Sequence, residues 1–241
     1  MNEHLLRLED LVNNPTSRVP VCLCLDTSGS MGSGSGILGE LSDGGSNAPI
    51  DELNDGIQLF YDAIRTDETA MYSAEICIIT FGGLPKVIED FANIERQMNV
   101  PRLAADGMTP MGEAVNMALD CIERRKHEYK DKGVDYYQPW LILMTDGAPN
   151  GSSQELDRAI TRTVGMVDSK KLTIFPIGIG NTADMTVLAK FSPKRSPLKL
   201  NGMNFKDFFQ WLSQSVARTS QSLPGENVSL DIEGIKGWAE L

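Results

Sequence analysis

Apolar runs recur along this chain, separated by segments whose apolar residues return every third or fourth position. Val19–Leu25 (VPVCLCL) is apolar throughout and stops at Asp26. Ala74–Phe81, Trp140–Thr145 and Leu172–Ile179 have the same character. Unbroken runs of this length suit strands covered on both faces. Lys86–Phe91, after the Gly82-Gly83 turn, predicts a short third strand, and Pro197–Leu200 predicts an edge strand, where a proline is tolerated. Between the runs, Leu53, Ile57, Phe60 and Ile64 mark one face of a helix. Met111, Ala114, Val115, Ala118, Leu119 and Ile122 mark a second. Ile160, Val164 and Val167 form a shorter stripe, and Phe205, Phe208, Phe209, Leu212 and Val216 form the last. Strands alternating with helices predict a doubly wound, mostly parallel central α/β sheet with helices on both faces.

The flanks follow other rules. Leu5, Leu8, Leu11 and Val12 predict a short amphipathic helix ending near Asn13-Asn14-Pro15, within an extension over residues 1–17. The α/β domain is expected over residues 18–220, and a tail over residues 221–241 that Trp238 pins to the body. Met31–Ser46 is rich in Gly and Ser and lies between the first strand and its helix. Most βα loops hold about 2–6 residues, so this segment is an insertion whose composition predicts flexibility.

Charge narrows the function classes. The net charge of −11 argues against binding a phosphate backbone, which needs positive charge to release counterions, and against an anionic membrane surface. No apolar run approaches the roughly 18–20 residues of a membrane-spanning helix. Met1–Arg18 lacks the apolar core of a signal peptide, so the expected location is the cytoplasm. Cys22, Cys24, Cys77 and Cys121 include no CxxC pair, which makes zinc and thioredoxin-type chemistry poor fits and predicts reduced core thiols.

In open α/β sheets ligands bind outside the carboxyl ends of the strands. The first strand ends in Asp26-Thr27-Ser28-Gly29-Ser30-Met31, and the fourth in Thr145-Asp146-Gly147. Gly107-Met108-Thr109-Pro110 opens the Met111 helix, with Thr109 expected as N-cap and Pro110 as first helical residue. Asp26, Ser28, Ser30, Thr109 and Asp146 thus supply two carboxylates and three hydroxyls at one edge. These are hard oxygen donors, suited to Mg²⁺ or Ca²⁺. Because three of them are neutral, the ion keeps an appetite for one more anionic oxygen.

These five residues, in this order, resemble the metal-ion-dependent adhesion site of von Willebrand factor A (VWA) domains, and the resemblance spans about Arg18–Ser220. PVCLCLDTSGSM, GMTPMGEA, LMTDGAPN and the late SVARTSQSLPGE segment are similar to bacterial TerY-like proteins of tellurite-resistance loci. The resemblance implies a Rossmann-like VWA fold. It implies that Ser28 and Ser30 ligate directly, that Thr109 ligates when partner is bound, and that Asp26 and Asp146 act through waters. It implies an interaction module whose Mg²⁺ (with Mn²⁺ and Ca²⁺ left open) takes a carboxylate from a partner protein. The TerY-like likeness points to a kinase or PP2C-type phosphatase as partner in a bacterial stress response. The insertion at the rim departs from the family pattern, and Glu40 or Asp43 within it could supply that carboxylate in cis.

Other motifs are weaker. Gly34–Gly39 matches GxGxxG, but Asp26–Gly32 separates it from the strand, whereas a dinucleotide site needs it immediately after. No GxxxxGK[ST] is present. Arg124-Arg125-Lys126-His127 is expected to be the solvated C-terminal end of a helix. A metal-dependent phosphoester hydrolase is the competing function. His4 and His127 lie outside the strand-end motifs, and position 28 is Ser where Asp-nucleophile phosphatases have DxD, so a non-enzymatic module is favoured.

Overall fold

The computed structural model describes residues 10–32, 48–202, 204–223 and 239–240. Its strands are β1 (Val19–Asp26), β2 (Ala74–Gly82), β3 (Leu84–Asn93), β4 (Trp140–Thr145), β5 (Thr173–Ile179), β6 (Leu198–Leu200) and β7 (Ala239–Glu240). They form one sheet in the order β3-β2-β1-β4-β5-β6-β7. β2, β1, β4, β5 and β6 run parallel, and the outer pairs β2–β3 and β6–β7 are antiparallel. The helices are α1 (Gly29–Gly32), α2 (Pro49–Arg65), α3 (Glu68–Ser73), α4 (Met111–Lys132), α5 (Ser153–Asp168), α6 (Met185–Phe191) and α7 (Phe205–Ser220). This is the Rossmann-like α/β arrangement that the alternation of patterns predicts.

Period-two alternation divides the strands between two core layers. Val21, Leu23 and Leu25 of β1 pack with α2 and α7, through Leu53, Ile57, Phe60, Phe208, Phe209 and Leu212. Cys22 and Cys24 face the other way, toward Met111, Val115, Ala118 and Ile122 of α4. All eight residues of β1 are buried, which explains why the run is apolar without alternation. β2 lies on one side of β1 and β4 on the other, so strand order reverses at β1. The carboxyl ends of β1 and β4 flank this switch point, where open α/β sheets place their ligands.

The structure departs from the sequence reading in several places. Val12 is 67% exposed while Leu11 is buried, at the end of a helical segment (residues 10–13) whose earlier part lies outside the described residues. β6 is not an edge, because β7 pairs beyond it. On α5 the deepest positions are Ala159 and Thr163, and Ile160, Val164 and Val167 are only half-buried. α4 packs closely on the start of α5, where a Cβ at Gly112 would lie 2.4 Å from Leu156 N. α3 and α6 were not anticipated. Both are short, six and seven residues, too brief for a periodic stripe. Asp67 and Asp184 cap them by accepting from Ala70 N and Val187 N. Gly34–Gly39, Glu40, Asp43 and Trp238 lie outside the described residues.

The basic run differs most. α4 continues to Lys132, so Arg124–His127 lies inside it rather than at its end. Arg125 and Arg18 are buried and both grip Glu75, itself fully buried. Arg125 Nε and Nη2 donate to Glu75 at 2.7 and 2.8 Å, Arg18 Nε at 3.0 Å, and the Tyr129 hydroxyl at 2.6 Å. Arg18 also donates to the backbone carbonyls of Asn14 and Thr16. One carboxylate therefore ties β1, β2, α4 and the N-terminal segment together. Removing one member of a buried ion cluster leaves its partners uncompensated and costs about 3–5 kcal/mol. Glu75→Gln should therefore lower unfolding free energy by about that amount in urea titrations. A loss well under 1 kcal/mol would show that the two arginines find water instead.

Candidate metal centre

The parallel register of β1 and β4 aligns Leu25 with Met144, so Asp26 and Asp146 emerge together. Asp26 is fully buried and Asp146 is 7% exposed. One Asp26 oxygen accepts from Ser28 N at 2.8 Å, and the other accepts from the Thr145 hydroxyl at 2.5 Å. The Ser28 and Ser30 hydroxyls are 3.1 Å apart, and Ser30 Oγ donates to Asp146 Oδ1 at 2.8 Å. Ser28 is buried while Ser30, in α1, is exposed, so the group opens to solvent at one corner. Thr182 fixes the far side by donating its hydroxyl to the Asp146 carbonyl at 2.6 Å.

Electrostatics make the pair costly. Burial raises the Asp26 carboxyl above its ordinary 3.8, the bonds from Thr145 and Ser28 oppose this, and the nearby Asp146 charge adds to the rise. Burial raises Asp146 as well, opposed by Ser30. Among the described residues no basic side chain offsets either carboxylate.

Thr109 reaches the same edge on a separate loop, held backbone to backbone. Asp106 N donates to the Thr27 carbonyl at 2.7 Å, Gly29 N to Gly107 O at 3.0 Å, and Gly83 N to Met108 O at 2.9 Å. This approach requires glycine. A Cβ at Gly82 would lie 2.2 Å from Thr27 O, and one at Gly107, whose φ is +74°, would lie 2.5 Å from Gly83 N. Asn150 clamps Thr109 by accepting from its N–H at 2.6 Å and donating its own to the Thr109 carbonyl at 3.1 Å. The Thr109 hydroxyl has no hydrogen-bond partner among the described residues. It is not an N-cap: Pro110 occupies the cap position of α4, and no side chain caps the helix. The Asn150 clamp holds Thr109 one residue too early for capping and leaves its hydroxyl for something else.

Asp26, Ser28, Ser30 and Asp146 therefore form one hydrogen-bonded group, and Thr109 is brought to their edge without joining it. Thr145 and Asn150 were not singled out from sequence, although both lie within the strand-end segment LMTDGAPN. Their part comes from contacts with residues 119 and 41 positions away, which local pattern does not reveal.

A model of the von Willebrand factor type A domain matches residues 50–216. No curated protein matches the chain. A von Willebrand factor type A protein from Catenulispora acidiphila superposes with a TM-score of 0.61 at 18% identity, covering 84% of this chain and 43% of that one. Proximal thread matrix protein 1 from the mussel byssus, in a structure described as having a zinc-occupied MIDAS motif, gives 0.52 at 17% identity, covering 84% and 48%. The vWF domain of the type V pili tip protein Mfa5 from Porphyromonas gingivalis gives 0.58 at 13%, covering 88% and 99%. The chain spans about half the length of the mussel and Catenulispora structures, and at these identities the likeness is one of fold.

A carboxyl raised by burial makes the folded state bind its proton more tightly than the unfolded chain does. Stability from this source is present below the ordinary carboxylate range and is lost as pH rises through the folded value. With divalent cations chelated, Asp26→Asn should therefore be more stable than wild type near pH 7, the gain shrinking toward about pH 4. Urea midpoints across that range provide the check, and a difference constant with pH would contradict it.

Proposed function

The chain belongs to the von Willebrand factor type A domain family, and from that premise we propose that its strand-end oxygen group is a metal-ion-dependent adhesion site. In this reading a divalent cation held there binds a carboxylate of a partner protein. The observation that carries the reading is the buried Asp26–Asp146 pair, surrounded by hydroxyls and lacking a basic partner among the described residues. A bound cation would supply the missing positive charge and an electrophilic centre for an incoming anionic oxygen.

Hydroxyl and carboxylate oxygens are hard donors, which suits Mg²⁺ among divalent ions, and the Ser28–Ser30–Asp146 hydrogen bonds already gather these oxygens at one corner. Ser28 and Ser30 would ligate directly. Thr109, with its hydroxyl unused and its backbone clamped, would ligate when the partner is bound. Asp26, both of whose oxygens are engaged by protein donors, is suited to orienting Ser28 and holding ligand waters. The mussel protein's zinc is a precedent for a divalent ion in this fold, so Mn²⁺ and Zn²⁺ belong beside Mg²⁺ in any assay.

The hydrolase alternative gains nothing from the geometry. His127 lies about 24 Å along α4 from the residue that follows the Thr109 loop. The partner class rests on resemblance. TerY-like segments support a bacterial cytoplasmic partner of the kinase or PP2C-type phosphatase kind, within a tellurite-resistance-like stress response. No helix among the described residues is long and apolar enough to cross a membrane.

Calorimetry on chelator-treated protein should show one Mg²⁺ or Mn²⁺ bound per chain, lost in Asp26→Ala with the circular dichroism spectrum retained. Thr109→Ala should keep metal affinity within about threefold while weakening metal-dependent capture of partner tenfold or more, as expected for a ligand recruited only in the complex. Equal loss of both would place Thr109 in the resting metal shell.

A further inference from the structure

We propose that the chain carries a second cation site, thiolate-rich and distinct from the oxygen site, in which Cys77, Cys121 and Asp90 bind a thiophilic divalent ion such as zinc. Their ligand atoms, one from each residue, all lie within 4.8 Å of one another. Three elements, β2, β3 and α4, bring them together, so the cluster carries no local CxxC signature. The β1–β2 register pairs Cys22 with Cys77, so the two thiols stand side by side on the sheet face covered by α4. Cys121 descends from α4 onto them. Cys22, Cys77 and Cys121 are all buried in the same core layer. Burial pushes the Cys22 thiol up, and the neighbouring Cys77 and burial push Cys121 up, so thiolates form there only with a cation to compensate them.

Asp90 enters through a β-bulge. Ile76 pairs with Ala92 and Ile78 with Glu89, so Asp90 and Phe91 together oppose Cys77. A bulge of this kind re-aims side chains and recurs next to functional sites. Without it, a strict two-residue alternation would run along β3 and the carboxylate would take another position. The Asp90 carboxylate is further held by Arg124 Nη2, at 2.7 and 2.8 Å to its two oxygens, and by Phe91 N at 2.8 Å.

The chemistry closes on charge and size. On binding, Cys77 and Cys121 each release a proton and become thiolates. With the Asp90 carboxylate that makes three negative charges, offset by the divalent ion and the Arg124 guanidinium. Cys22 remains a thiol beside Cys77, placed to donate a hydrogen bond to the Cys77 thiolate, and the fourth position is left to water. A tetrahedral zinc with metal–sulfur bonds of about 2.3 Å holds its sulfurs about 3.8 Å apart. The three atoms therefore need approach by no more than about an ångström. Asp90 is the exposed member, its side chain 37% exposed, while Cys77 is fully buried and Cys121 is 3% exposed and reached only by local opening. Sulfur donors favour zinc or cadmium over Mg²⁺, so the two sites select different ions.

The test is a Cd²⁺ titration of the reduced, chelator-treated full chain, reading the cadmium–thiolate charge-transfer absorbance. One equivalent should saturate the band and Zn²⁺ should displace it, whereas a large excess of Mg²⁺ should not. Cys77→Ser and Cys121→Ser should each lose the band, Asp90→Asn should weaken Cd²⁺ binding tenfold or more, and Asp26→Ala should keep it. In wild type, Zn²⁺ should slow alkylation of Cys121 by at least tenfold, a readout that holds even if a serine variant fails to fold. No band in wild type, or an unprotected Cys121 at saturating Zn²⁺, would overturn the site. Because Asp26→Ala separates the two sites, failure here leaves the adhesion-site reading standing, and the reverse also holds.

Discussion

Everything in this structure is arranged around a strand that has no contact with solvent. β1 is buried from Val19 to Asp26, with one layer of helices on each face, and the charged residues at its two ends are buried with it. A buried charge is tolerated only if it is paired or hydrogen-bonded. The two ends meet that demand differently. At the amino end Arg18 is met by Glu75 and backbone carbonyls, and Glu75 in turn by Arg125 and Tyr129, so the charges are answered within the protein. At the carboxyl end Asp26 is met by an amide, hydroxyls and a second carboxylate. The donors satisfy its lone pairs, but its charge finds no counterpart among the described residues. The same strand thus has one end whose charge is compensated within the protein and one whose charge is not, among the described residues.

The carboxyl end is held by backbone rather than by side chains. The 27–29, 82–83 and 106–108 segments exchange amide–carbonyl bonds at distances that exclude a Cβ at Gly82 and Gly107. Backbone contacts of this kind have few alternative rotamers, so hydroxyls mounted on them keep their positions when a ligand arrives. Asn150 extends the same logic to Thr109. The proposed adhesion site would benefit from this rigidity, because misplaced donors lose selectivity between ions of different radius.

α4 is the element on which the remaining chemistry converges. The loop that enters it carries Thr109, its middle carries Cys121 against the β1–β2 thiols, and its second half carries Arg125 and Tyr129 into the Glu75 cluster. Hard oxygens, soft sulfurs and an internally compensated ion cluster are therefore spaced along one helix against one face of the sheet. Their separation keeps the donor types from mixing, as the two proposed sites require.

Much of this was legible in the residues. Unbroken apolar runs marked strands buried on both faces, three- and four-residue spacing marked the long helices, and their alternation marked the doubly wound sheet. Asp26, Ser28, Ser30 and Asp146 stood out because they sit where apolar runs stop, and Thr109 because Gly107-Met108-Thr109-Pro110 opens a helix. What tertiary structure alone decided depends on contacts between distant segments. Arg125 reads as a solvated charge until Glu75 is brought against it from 50 positions away. Thr109 reads as a helix cap until Asn150 clamps its backbone. The cysteines read as buried core thiols and are so, but only strand register and a bulge set Cys77 beside Cys22 and Asp90. Periodicity reports whether a side chain turns inward, because burial depends on the local rise and turn of its own element. It carries no information about which inward-turned group from another element will meet it, and the partner decides whether a buried charge or thiol stabilises the fold or binds a ligand.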